Sequence, residues 1–131
     1  MSELIADACA LIGFHAVGSP GSLGVEGQAA LHSGAVLVAS FTVREILRKV
    51  SIGKLNVLMP AETGLDYPSR LTSQGYRTVA FDWSDAAMAA WLPDHHRDPW
   101  DRALIAIALR HNLAVITLNP VFRRYGVRTL W

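Results

Sequence analysis

Four of the eleven acidic residues in this 131-residue chain, Asp7, Glu45, Asp98 and Asp101, stand where an apolar run gives way to a helix or where a helix begins. Carboxylates gathered within a few ångströms repel one another, which raises at least one pKa unless a cation neutralises them. An all-oxygen donor set suits Mg2+ or Mn2+, whereas zinc prefers His and Cys. Mg2+ keeps several of its waters, so two or three carboxylates suffice, some acting through water. An ion held there activates a water and stabilises charge on a phosphodiester during in-line attack. That is phosphoryl-transfer chemistry without a covalent protein nucleophile. Each acid also has a plainer use. Asp7 fits a helix N-cap. Thr42-Val43-Arg44-Glu45 fits a capping box, with Glu45 also spaced to pair with Lys49. Asp98-Pro99-Trp100-Asp101 reads as a cap, a proline at the first helical position and an acid at the third. It is the joint placement of the four that points to one site.

The elements that must position them follow from periodicity and turn chemistry. Leu4-Ile5-Ala6 predicts a strand closed by Asp7, with a helix from Ala8 onward. Residues 18–22 read as a loop, and Ala29 to His32 as a helix ended by Gly34. Ala35 to Ala39 is a continuous β-prone run, as expected of a strand covered on both faces. Val43, Ile46, Leu47 and Val50 then recur at helical spacing until Gly53. Gly64 and Pro68 interrupt any single helix over 60–75, and Gly75 closes whatever follows Pro68. Arg77 to Phe81 predicts a third strand, followed by a helix capped by Ser84 and running through Trp91. A loop from Pro93 to Arg97 leads to Asp98 and to a helix apolar all round over 103–109, hence buried on most faces. Ala114 to Thr117 and Arg128 to Trp131 complete the strands. Such alternation implies an α/β fold: a mainly parallel sheet of four to five strands with helices on both faces, and a ligand site outside the carboxyl ends of the strands.

Composition narrows the classes. Apolar residues make up 51% and charged residues 18%, with four Trp, which excludes a disordered chain. The formal net charge of +1 announces no global nucleic-acid field, so any such site is local. One cysteine, Cys9, excludes a disulfide framework and a Cys-rich zinc module, and is expected as a small buried residue. The longest stretch without Asp, Glu, Lys or Arg, Ala8 to Val25, is broken by Pro20 and four Gly, so no membrane span is expected. The opening residues lack a basic region, and we read a cytoplasmic protein with a single domain over 1–131. His15, His32 and His111 lack partners at metal-ligand spacing and are expected at helix surfaces or ends. The Gly18-Ser19-Pro20-Gly21 stretch lacks the Gly-Lys-Ser/Thr ending of a phosphate loop, which weighs against a doubly wound nucleotide-binding domain.

The segment His95-His96-Arg97-Asp98-Pro99-Trp100-Asp101-Arg102-Ala103-Leu104-Ile105-Ala106 resembles the signature of PIN-domain toxins of the VapC type. The likeness covers nearly the whole chain. Ile5 to Ile12 resembles the family's opening strand with its metal-binding Asp. Arg44-Glu45-Ile46 followed by Gly53-Lys54-Leu55 resembles its second acidic motif, and Val115 to Pro120 and Val127 to Trp131 its last strands. The resemblance implies a PIN-like three-layer sandwich and a Mg2+- or Mn2+-dependent ribonuclease. It further implies the toxin of a toxin–antitoxin pair, a homodimer held inactive by a cognate antitoxin. It assigns Asp7, Glu45 and Asp101 to the main acidic positions and Asp98 to an additional one. Thr117, Asn119, His96, Arg97 and Arg102 are accessory candidates. Arg97, Arg102, Arg123, Arg124 and Lys54 could meet an RNA backbone. Two departures stand out: Ala8 lacks the hydroxyl common after the first Asp, and Asn119 takes the place of a fourth acid. They favour, as the alternative, a PIN-like binding module of weak or lost activity.

Overall fold

The structure, a computed structural model, describes residues 3–15, 23–55 and 66–131. The loop expected over 18–22 and the stretch around Gly64 lie outside them. Among the described residues five short strands, β1 (Leu4–Ala6), β2 (Val36–Ala39), β3 (Arg77–Val79), β4 (Ala114–Ile116) and β5 (Thr129–Leu130), form one sheet in the order β3-β2-β1-β4-β5. All four pairings are parallel, so every strand ends at the same edge. The helices are α1 (Ala8–His15), α2 (Val25–Ser33), α3 (Ser40–Ser51), α4 (Tyr67–Ser73), α5 (Trp83–Trp91) and α6 (Pro99–His111). A 3₁₀ turn over Pro120–Tyr125 links β4 to β5.

Alternation along the strands divides the interior in two. Ala6, Val36, Val38 and Ile116 face one way, into a core with Leu11 of α1, Leu31 of α2, Ile46 of α3 and Leu71 of α4. Ile5, Leu37, Ala39 and Val115 face the other, against Leu104, Ile105, Ile107 and Ala108 of α6 and Phe122. The result is the expected sandwich, helices on both faces of a parallel sheet. Residues 103–108 of α6 are all buried, as their uninterrupted apolar run demands.

Several local expectations are corrected. Helix α3 starts at Ser40, directly off β2, with Ala39 as its N-cap. Thr42 therefore lies inside the helix, buried, and forms no capping box with Glu45. Helix α5 is capped by Asp82 rather than Ser84: its carboxylate accepts from the Asp85 N–H at 2.9 Å while Asp85 accepts from the Asp82 N–H. Phe81 falls beyond β3 and is exposed. Cys9 is exposed, because α1 turns that face away from the sheet. His15 is not a plain surface residue but packs edge-on against Tyr67 and Tyr76 and contacts the Tyr67 hydroxyl. Gly34 takes φ +70° at the end of α2, where any Cβ would meet the Gln74 carbonyl oxygen, so glycine is required twice over.

Candidate active site

Asp7 leaves β1 and enters α1, and its own N–H donates to the Ile116 carbonyl of β4 at 3.2 Å. That bond fixes the residue over the carboxyl edge of the two central strands. Its carboxylate accepts from the Ala10 N–H at 2.8 Å, the capping bond expected, and from the Thr117 hydroxyl. Thr117 is itself buried and accepts from the Asn119 N–H at 3.1 Å. Burial dominates the titration of Asp7, and the charges of Asp101 and Glu45 push the same way, raising its pKa to about 6. The two hydrogen bonds oppose that rise without cancelling it.

Glu45 lies one turn into α3 and is partly buried. Desolvation raises its pKa, Asp101 and Asp98 raise it further, and Lys49 draws it back. Asp98 is the N-cap of α6: one carboxylate oxygen accepts from the Trp100 and Asp101 N–H groups, each at 2.9 Å. Its plain structural use is thus realised. Asp101, at the third position of α6, turns instead to His96, whose Nε2–H donates to Oδ2 at 2.7 Å. Burial still holds the Asp101 pKa above the ordinary carboxylate range.

The loop that delivers His96 is braced from below. Arg102 donates to the carbonyls of Pro93, His96, Ala89 and Leu92 at 2.8–3.2 Å. The Tyr125 hydroxyl donates to Pro93 and accepts from the His95 N–H. Arg102 is therefore a clamp on the loop rather than a residue presented to a substrate. Arg123 also has an internal partner, the Thr129 hydroxyl, while Arg97, Arg124 and Lys54 stay exposed. Sequence reasoning passed over Tyr125, and no local signal marks a tyrosine that binds a loop thirty residues away. Asn119 caps the 3₁₀ turn, its carbonyl oxygen accepting from the Val121 N–H at 3.1 Å.

Asp7, Glu45 and Asp101 thus come from three elements to one edge of the sheet, within electrostatic reach of one another. Among the described residues no arginine or lysine forms an ion pair with any of the four acids, and no three His, Cys, Asp or Glu side chains stand close enough to hold an ion as placed. The acids share an electrostatic field rather than a closed cage. The donor chemistry fits a hard divalent cation: oxygen acids, two of them partly exposed, with no arginine or lysine ion-paired to them among the described residues.

The sequence profile of the PIN domain matches residues 4–128, and the chain belongs to that family. PIN domains are typically nucleases and generally use divalent metals. The fold is similar to that of FitAB bound to an IR36 DNA fragment, with a TM-score of 0.68 and 17% identity over 97% of this chain and 93% of that one. It is similar to DNA-bound VapBC from Salmonella typhimurium, with a TM-score of 0.68 and 18% identity over 99% and 98%. FitAcB from Neisseria gonorrhoeae gives 0.65 and 18% over 98% and 96%. At these identities the likeness is one of fold. No curated protein sequence matches the chain. Among the described residues no helix is long and apolar enough to cross a membrane.

Proposed function

We propose that the chain, acting as one PIN-like unit over 1–131, is a Mg2+- or Mn2+-dependent endoribonuclease and the toxin of a toxin–antitoxin pair. The observation that carries this reading is the buried, raised carboxylate of Asp7, lifted by burial and by the charges of Glu45 and Asp101. Bound among these acids, a divalent ion supplies charge neutralisation at the phosphodiester and lowers the pKa of water, the two things hydrolysis needs. Asp7 is the fixed donor, its orientation set by Ala10, Thr117 and the bond to β4. Glu45 and Asp101 supply further oxygens, and Asp98 holds the start of α6 so that Asp101 faces the site. His96, hydrogen-bonded to Asp101, orients that carboxylate and can pass a proton near the leaving group.

The partners that go with this reading are RNA as substrate, a cognate antitoxin and a second copy of the chain in a homodimer, in the cytoplasm. Support comes from PIN family membership and from the fold shared with the VapBC and FitAB complexes. The test is cleavage of RNA by purified protein freed of any partner. Activity that needs Mg2+ or Mn2+ and stops with EDTA supports the proposal. Equal cleavage in excess EDTA contradicts it.

A second reading, a binding module of weak or lost activity, draws on Ala8 and on Asn119. The Asn119 side-chain oxygen is already used on Val121, and an amide adds no negative charge. Growth arrest on expression that depends on Asp7 would remove this alternative.

A further inference from the structure

An aromatic row runs away from the candidate site. Trp100 directly precedes Asp101 at the start of α6, and Phe41 lies four residues, one helical turn, before Glu45 on α3. The two elements that carry these carboxylates therefore each carry a ring beside them. The rings meet: Phe41 and Trp100 are stacked with centroids 5.6 Å apart and planes 19° from parallel. Phe81 continues the row edge-on to Phe41 at 5.8 Å. Beyond it lies an open depression of about 460 Å³ lined by Phe81, Asp82, Trp83 and Ser84.

A core would hide such rings, yet Trp100 is 43% exposed and Phe81 39%. Each ring therefore keeps surface open to a ligand. Charge supplies a second observation. Arg44, one residue before Glu45, and Arg97, three before Trp100, are both exposed. Among the described residues neither side chain forms a hydrogen bond or an ion pair, in contrast to Arg102 and Arg110. Arg44 thus lies one helical turn from Phe41 on α3, and Arg97 in the loop that leads to Trp100. Asp82, the acid at the far end, already holds Arg110 and the Asp85 N–H.

We propose that the Trp100–Phe41–Phe81 row is a stacking platform for unpaired RNA bases, with Arg44 and Arg97 meeting the phosphates between them. This rests on the ribonuclease reading above and assigns to these rings the holding of unpaired bases, in a single strand or a loop, whose faces can splay out of a stack. A base-paired strand has no free face to offer. Aromatic stacking of this kind tolerates any base, so the platform sets strandedness and register rather than sequence. A base seated on Trp100 puts its neighbouring phosphodiester beside Asp101 and Glu45, which makes Trp100 a positioning residue.

The test is fluorescence anisotropy of a labelled 12-nucleotide mixed-sequence RNA, single-stranded or annealed to its complement, in EDTA so that nothing is cleaved. Trp100→Ala should weaken single-strand binding about 5- to 150-fold, the range for losing one stacked base, and leave duplex binding within about twofold. Trp100→Phe, which keeps a ring, should restore most of the loss. If Trp100→Ala unfolds, seen by circular dichroism, Phe81→Ala at the outer end carries the same comparison. The proposal is overturned if the wild type does not bind single-stranded RNA, or if single strand and duplex weaken alike. It is equally overturned if Trp100→Ala changes only the sedimentation coefficient, marking a protein–protein face. Because no turnover is measured, a failure of metal-dependent cleavage shows itself separately from a failure of stacking.

Discussion

Replacing Asp7 by Asn removes a charge that the fold holds in an unfavourable place. In the folded chain the Asp7 pKa rises from 3.8 to about 6, first through burial, so the folded state binds that proton more tightly than the unfolded one. For an acid raised in this way, the stability it contributes is full below the unfolded pKa and is lost as pH climbs through 6. About two pKa units at 1.36 kcal/mol each put the loss near 3 kcal/mol at neutral pH. Asn keeps the oxygen that accepts from Ala10 but turns a donor toward Thr117, which returns about 1 kcal/mol of the gain. The metal-free variant should therefore be about 2 kcal/mol more stable than the wild type at pH 7.5, a rise in Tm of roughly 8 °C for a domain of this size. At pH 4 the advantage should vanish or reverse, since the wild-type acid is then protonated when folded. The assay is thermal unfolding in EDTA at both pH values, repeated in Mg2+, which should stabilise the wild type and not the variant. A variant less stable than the wild type at pH 7.5, with the same gap at pH 4, would refute the account of Asp7 as a strained metal-site acid.

Three further outcomes follow from the same geometry. Asp7→Ala and Asp101→Ala should each abolish RNA cleavage in Mg2+ while leaving far-ultraviolet circular dichroism unchanged, checked by gel assay with matched protein. Arg102→Ala strips hydrogen bonds from four carbonyls and should cost about 3 kcal/mol in chemical denaturation. Lysine should not rescue it, because a point charge does not reproduce the guanidinium fork. Asp85→Ala removes the buried partner of Arg110 between α5 and α6 and the acceptor of the Asp82 N–H, and should lower the denaturation midpoint even though Arg110 keeps Asp82.

The parts of this fold that were legible are those written locally. Leu4-Ile5-Ala6 followed by Asp7 marks a strand and a cap within four residues, and the run over 103–108 announces a buried helix by having no polar face. Where two signals compete over short range, reading fails: Asp82 and Ser84 are both good caps, and only the reciprocal bond to Asp85 decides between them. Thr42 looks like the start of α3 because β2 reveals nothing about passing straight into a helix without a loop. Each of the acids is legible as a residue at a junction, but their neighbours come from distant chain. His96 reaches Asp101 only through a loop held by Arg102 and Tyr125, and the latter bonds lie some thirty residues apart. The stacked pair Phe41 and Trp100 joins positions 59 residues apart and has no sequence signature at all.

The most direct measurement is an anomalous-scattering map of crystals of the partner-free protein soaked in Mn2+. The account calls for a peak at coordination distance from Asp7 and at least one of Glu45 and Asp101, with the others reached through water. A well-occupied peak elsewhere, or none beside Asp7 at a concentration that supports cleavage, would contradict it.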